Sequence, residues 1–111
     1  MMKIAMSPAG SALLRALIAR AGVARNRILL TEFQSVDWQS LTLAGERHQI
    51  ELRVRGADSP TVVERMCSGL EDAEFTIPKV IVADIAVLGV PCRAPDGSMS
   101  VTIEALTIGE D

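Results

Sequence analysis

Apolar residues recur along this chain with two different periods. After Ser7-Pro8, the residues Leu13, Leu14, Leu17, Ile18 and Ala21 return at three- and four-residue spacing, which predicts a helix with one apolar stripe. After Ser59-Pro60, the residues Val63, Met66, Cys67 and Leu70 do the same. Both Ser-Pro pairs read as helix starts, with serine as the N-cap and proline at a position whose N–H would be free anyway. Gly22 suits a left-handed end to the first helix. Between and after the helices the period falls to two. His48, Ile50, Leu52 and Val54 alternate with Gln49, Glu51, Arg53 and Arg55, the pattern of a half-buried strand with one wet face. From Gln34 to Leu43 the alternation loses phase, which a bulge in a long strand would restore.

An offset of 52 residues carries one half of the chain onto the other. Ser7-Pro8 falls on Ser59-Pro60, and the run Ile28 to Phe33 falls on Val80 to Ile85, acid on acid at Glu32 and Asp84. Gly45 falls on Gly97, and with one residue of slip Ile50-Glu51 falls on Ile103-Glu104 and Gly56 on Gly109. An internal duplication accounts for this order of features, giving repeats 7–58 and 59–111 within one domain of residues 1–111. Ala94-Pro95-Asp96-Gly97-Ser98 is the stronger hairpin signal, and Ala44-Gly45-Glu46-Arg47 is its weaker counterpart.

Two helix-strand-strand units most economically form an α+β two-layer sandwich, a four-stranded antiparallel sheet with both helices on one face. That order is similar to a circularly permuted ferredoxin-like fold. It also resembles, in helix and strand order over most of the folded part, the periplasmic modules of the secretion and pilus assembly proteins typified by the M protein of type II secretion. No motif carries the likeness, so it implies a fold and no activity.

Composition narrows the function. Hydrophobic residues make up 49% of the chain and charged residues 23%, a globular balance. No apolar run approaches the roughly 18 residues of a membrane span, and the first ten residues carry no signal-peptide core. Residues 1–58 hold eight bases and five acids, and residues 59–111 hold three bases and nine acids, so the halves have opposite sign. The net charge of −3 opposes binding to nucleic acid, and Phe33, Trp38 and Phe75 do not interleave with bases as a single-strand reader requires. No Gly-x-Gly precedes a helix, so no nucleotide cofactor is expected. Cys67 and Cys92 form no Cys-x-x-Cys pair and read as reduced thiols of a cytoplasmic protein.

Candidate chemistry is sparse. Glu32 and Asp84 occupy equivalent places, so a twofold relation would set two carboxylates on one face of the sheet, where they could divide acid and base roles. His48 is the only imidazole and shares parity with core positions; its plain reading is a buried ring satisfied by neighbours. No metal site and no cofactor are expected. If Leu29, Phe33, Ile81, Ile85 and Val87 face the helices, then Ile28, Leu30, Val82, Ala86, Leu88, Leu106 and Ile108 face away, and such an apolar face needs a partner. The expectation is a non-catalytic homodimeric assembly or protein-interaction module, with Leu30, Val82, Leu88, Leu106 and Ile108 as the candidate interface. The alternative is a small-ligand-binding protein or small enzyme using Glu32, Asp84 and His48. Neither nucleic acid nor membrane is an expected partner.

Overall fold

Helix α1 (Pro8–Ala21) starts where the Ser7 hydroxyl accepts from the Gly10 N–H at 3.1 Å, and it ends at Gly22 in the left-handed conformation, φ 69°. Gly10 leaves room for the Phe33 ring, which a Cβ there would strike. The computed structural model describes residues 6–109, so Lys3, Glu110 and Asp111 of the charge count lie outside the described residues. After α1 come β1 (Ile28–Gln39), β2 (Ala44–Val54), α2 (Ser59–Cys67), β3 (Val80–Arg93) and β4 (Met99–Gly109), with 3-10 turns at Arg25–Arg27 and Leu70–Asp72. The sheet order is β1-β2-β4-β3 and every pairing is antiparallel. Two hairpins therefore meet at their second strands, which leaves β1 and β3 as edges. Both helices pack on one face, making an α+β sandwich of two layers.

The core lies between these layers. Leu13, Leu14 and Leu17 of α1 and Val62, Val63 and Met66 of α2 meet Ile50, Leu52 and Val54 of β2 and Val101, Ile103 and Ala105 of β4. Each fully buried Leu or Ile contributes roughly 1.5–3 kcal/mol. The helices also close each other's C-terminal ends. Arg20 donates from Nε to the Met66 carbonyl at 3.1 Å and from Nη2 to the Ser68 carbonyl at 2.7 Å, and Arg65 Nη1 donates to the Ala21 carbonyl at 2.9 Å. A cation at each helix C-terminus satisfies free carbonyls and opposes the negative end of the dipole.

Three local expectations need correction. Ser59 is the first helical residue of α2 rather than its N-cap: Asp58 holds the cap position, and the buried Ser59 hydroxyl donates to the Gly97 carbonyl at 2.6 Å, tying α2 to the β3–β4 turn. Leu70 is buried but lies beyond α2, because Ser68 is extended and Gly69 takes a left-handed φ of 65°. The first hairpin turns at Ser40–Leu43, not at Ala44–Arg47; the Ser40 N–H donates to the Leu43 carbonyl at 2.9 Å, and the Leu43 N–H to the Ser40 hydroxyl at 3.1 Å. Leu41 and Leu43 are thus turn and flank residues, which is why the strand alternation lost phase there. Gly45 sits within β2, where a Cβ would strike the backbone of Thr107. The second hairpin turns where expected: Gly97 has φ 88°, and Asp96 Oδ1 accepts from the Ser98 N–H and hydroxyl.

Candidate functional site

The register of the sheet assigns each strand residue to a face. A bulge at Thr31, between Leu30 and Glu32, and another at Ala83, between Val82 and Asp84, shift both edge strands by one residue. Thr31 secures the first bulge by donating to Glu51, whose backbone carbonyl lies at 3.1 Å and whose carboxylate lies at 2.7 Å. Before each bulge the facing is the reverse of the uninterrupted alternation. Ile28, Leu30 and Val82 pack on the core, while Leu29 and Ile81 face away and are 43% and 48% exposed. Leu30 and Val82 are therefore removed from the candidate interface. Phe33, Ile85 and Val87, which follow the bulges, do face the helices, and Ala86, Leu88, Leu106 and Ile108 lie on the open face.

The open face divides into three zones. At one end, Trp38, Gly45, Ile108 and Ile81 form a row across the four strands, and in the next row Val36 and Leu106 alternate with Arg47 and Asp84. The middle is polar: Gln34, Gln49 and Glu104 stand in line with Ala86, and Arg47 pairs with Glu104 at 3.0 Å. Glu32, Glu51, Thr102 and Leu88 follow, and Leu29, Arg53, Ser100 and Cys92 close the far end. So in place of the expected continuous apolar face there is an apolar end of five side chains, Val36, Trp38, Ile81, Leu106 and Ile108, whose inner row is interrupted by Arg47 and Asp84. Sequence reasoning missed Val36, Trp38 and Ile81, since only the bulge and the turn at Ser40 give their facing.

Glu32 and Asp84 share the open face but stand on opposite edge strands. Three strand spacings and four residues of displacement along β4 separate them by about 20 Å, so they form no acid–base pair. His48 is on the other face and fully buried. Its Nδ1 lies 2.7 Å from the Ser35 hydroxyl and its Nε2 2.8 Å from the Thr107 hydroxyl, and the Phe33 ring stands at a centroid distance of 6.1 Å. Burial pushes the His48 imidazole below its ordinary value, against a smaller opposing pull from the Glu46 carboxylate. The three side chains thus form a satisfied polar chain across β1, β2 and β4, and among the described residues no buried side-chain polar atom lacks a partner. The hydroxyl partners Ser35 and Thr107 left no signal in the sequence, since only the strand register brings them to the ring.

Elsewhere the surface is shallow. Clefts of about 450 and 440 Å³ flank the first hairpin, the former along the Ser40–Leu43 turn and the latter beside Trp38 and Gly45. Another of about 310 Å³ lies at Asn26, Arg27, Arg55 and Gly56. Arg27 is occupied there, donating to the Arg55 carbonyl and pairing with Asp58, whose carboxyl the guanidinium holds below its ordinary value. Cys67 is half-buried, with its thiol pushed up by burial, and Cys92 is exposed; both are free. Among the described residues no group of three or more His, Cys, Asp or Glu is placed to hold a metal ion, and no helix is long and apolar enough to cross a membrane. No protein-family model matches the chain, and no curated protein matches it significantly.

Proposed function

We propose that this protein is a non-catalytic, homodimeric module whose role is assembly through its sheet. The observation that carries this reading is the apolar end of the open face. Val36 and Ile81 are 53% and 48% exposed, and they adjoin Trp38, Leu106 and Ile108 on a surface that the two-layer fold leaves uncovered. Burying that end removes apolar area from water at roughly 25 cal/mol per Å², which favours a protein partner over solvent. Sedimentation equilibrium at micromolar concentration tests the reading. A dimer is expected, and a monomer at every workable concentration rejects it.

The internal duplication belongs to the same proposal. The two bulges, at Thr31 and Ala83, stand 52 residues apart, as the aligned runs do. Ile50 and Ile103, matched with one residue of slip, are direct partners across β2 and β4. A pseudo-twofold axis through that central pair would relate the halves, as in a permuted ferredoxin-like fold. Gly45 and Gly97 do not correspond, one lying in a strand and the other in a turn. Two free thiols on separate elements fit a reducing, cytoplasmic setting.

A further inference from the structure

The two edge strands of the sheet are built differently. Beyond its bulge, β3 is interrupted again between Leu88 and Cys92, where Gly89 is left-handed with φ 69° and Pro91 offers no N–H. The 3-10 turn at Leu70–Asp72 also packs on β3. These features blunt an edge against pairing. Beyond Thr31, by contrast, β1 runs without interruption from Glu32 to Gln39, and among the described residues its outer edge pairs with nothing. A strand of this kind presents unpaired N–H and C=O groups to a second strand.

We propose that β1 pairs antiparallel with β1 of a second copy about a twofold axis at Val36, joining two sheets into one of eight strands; this rests on the self-association reading above. A twofold perpendicular to the sheet keeps each face on its own side, so only registers that place like-facing residues opposite each other are allowed. Centring on Asp37 would set two carboxylates face to face. Centring on Ser35 would set Glu32 opposite Trp38 and Asp37 opposite Phe33, and centring on Gln34 would set Glu32 opposite Val36. Centring on Val36 avoids all of these: Val36 meets itself, Gln34 meets Trp38, Ser35 meets Asp37, and Phe33 meets Gln39. Cross-strand apolar pairs stabilise a sheet and like charges directly opposite destabilise it, which selects this register. The chosen segment also spans what the chain leaves regular, between the bulge at Thr31 and the turn at Ser40. It sets Val36 against Val36 with Trp38 close by on the shared open face, while Ile81 stays on the opposite edge, and because the register is self-complementary the occupant of the edge is a second copy of the chain.

A charge-swap at the axis tests this. Val36 is 53% exposed, so Val36→Lys and Val36→Glu should each fold. Each variant alone meets its own charge across the twofold, and its association should weaken by about tenfold or more in sedimentation. An equimolar mixture of the two sets Lys opposite Glu and should recover the dimer, with slow exchange at those amides of 33–39 that point away from β2, which each variant alone lacks. Variants that remain dimeric, or a mixture that remains monomeric, overturn the Val36-centred pairing and leave self-association through another surface standing. A monomeric wild type overturns both proposals.

Discussion

Strands β1 and β3 begin alike and end differently. Each is the first strand of its half, each is an edge, and each carries a bulge one residue before an acid on the open face, Glu32 or Asp84. Past that point β1 stays regular, whereas β3 turns through Gly89 and Pro91 and loses its ladder between Leu88 and Cys92. The approach to each strand differs as well. The first helix runs 14 residues and reaches β1 through one 3-10 turn, while α2 runs nine and reaches β3 through a longer loop. The similarity lies where both halves must feed one core, and the differences lie at edges and connections, which the core does not constrain. Those unconstrained places decide which edge stays open.

The strongest test of the likeness of the halves is at their meeting point. Ile50→Ala and Ile103→Ala each remove a fully buried side chain from the central strand pair and should each cost about 2–5 kcal/mol in urea unfolding. Costs within about 1 kcal/mol of each other support an equivalent pair. A much larger gap would show that one half carries the core.

The halves should differ in acid. His48 lies in the first half, and with the one-residue slip its counterpart is Val101, which cannot titrate. Burial lowers the folded-state value of His48 below the ordinary 6.5. Below pH 6.5 the unfolded chain therefore takes up a proton that the folded chain refuses, so the stability is fully present above 6.5 and is lost as the pH falls from there through the folded value. The urea midpoint should drop between pH 8 and pH 5, and His48→Gln should flatten that slope. An equal slope in the variant would assign the acid sensitivity to other groups.

Smaller effects probe the connections. Lys79 is the one non-glycine among the described residues with positive φ, 64°, in the turn where the Val80 N–H donates to the Ile77 carbonyl at 3.2 Å. Lys79→Gly should therefore stabilise by about 1 kcal/mol, measured by thermal unfolding, because an L side chain strains this conformation. Ser7→Ala should cost about 1 kcal/mol by removing the N-cap of α1. Ser59→Ala should cost about as much for another reason, since it leaves the Gly97 carbonyl without its hydroxyl donor. Combining Ser59→Ala with a loosened β3–β4 turn, as in Gly97→Ala, should then be non-additive, while Ser7→Ala with Gly97→Ala should add. Least of all, Leu88→Glu lies on the exposed open face at the end away from Trp38, and it should change neither stability by more than about 0.5 kcal/mol nor the sedimentation behaviour.

The alternation of β2, the stripe of α1, part of that of α2, the Asp96-Gly97 turn and the Ser7 cap were legible in the residues, because each is set by contacts within a few positions of the chain. So was the sandwich itself, since two helices and four half-buried strands have few ways to share one core. The facing of Ile28, Leu30, Ile81 and Val82 was not legible. It depends on bulges at Thr31 and Ala83 that exist only in relation to a neighbouring strand, and one extra residue reverses every side chain before it. The same holds for the helix starts: Ser59 looks like Ser7 in sequence, yet it bonds to Gly97, 38 residues away, because the fold brings the β3–β4 turn to it. His48 was identifiable as a core ring, but its partners Ser35 and Thr107 came from strand register alone. Local physics thus determined the elements and their apolar faces. Pairing between distant strands decided which residues share a surface, and so separated Glu32 from Asp84 and gathered Val36 and Trp38 beside Ile108.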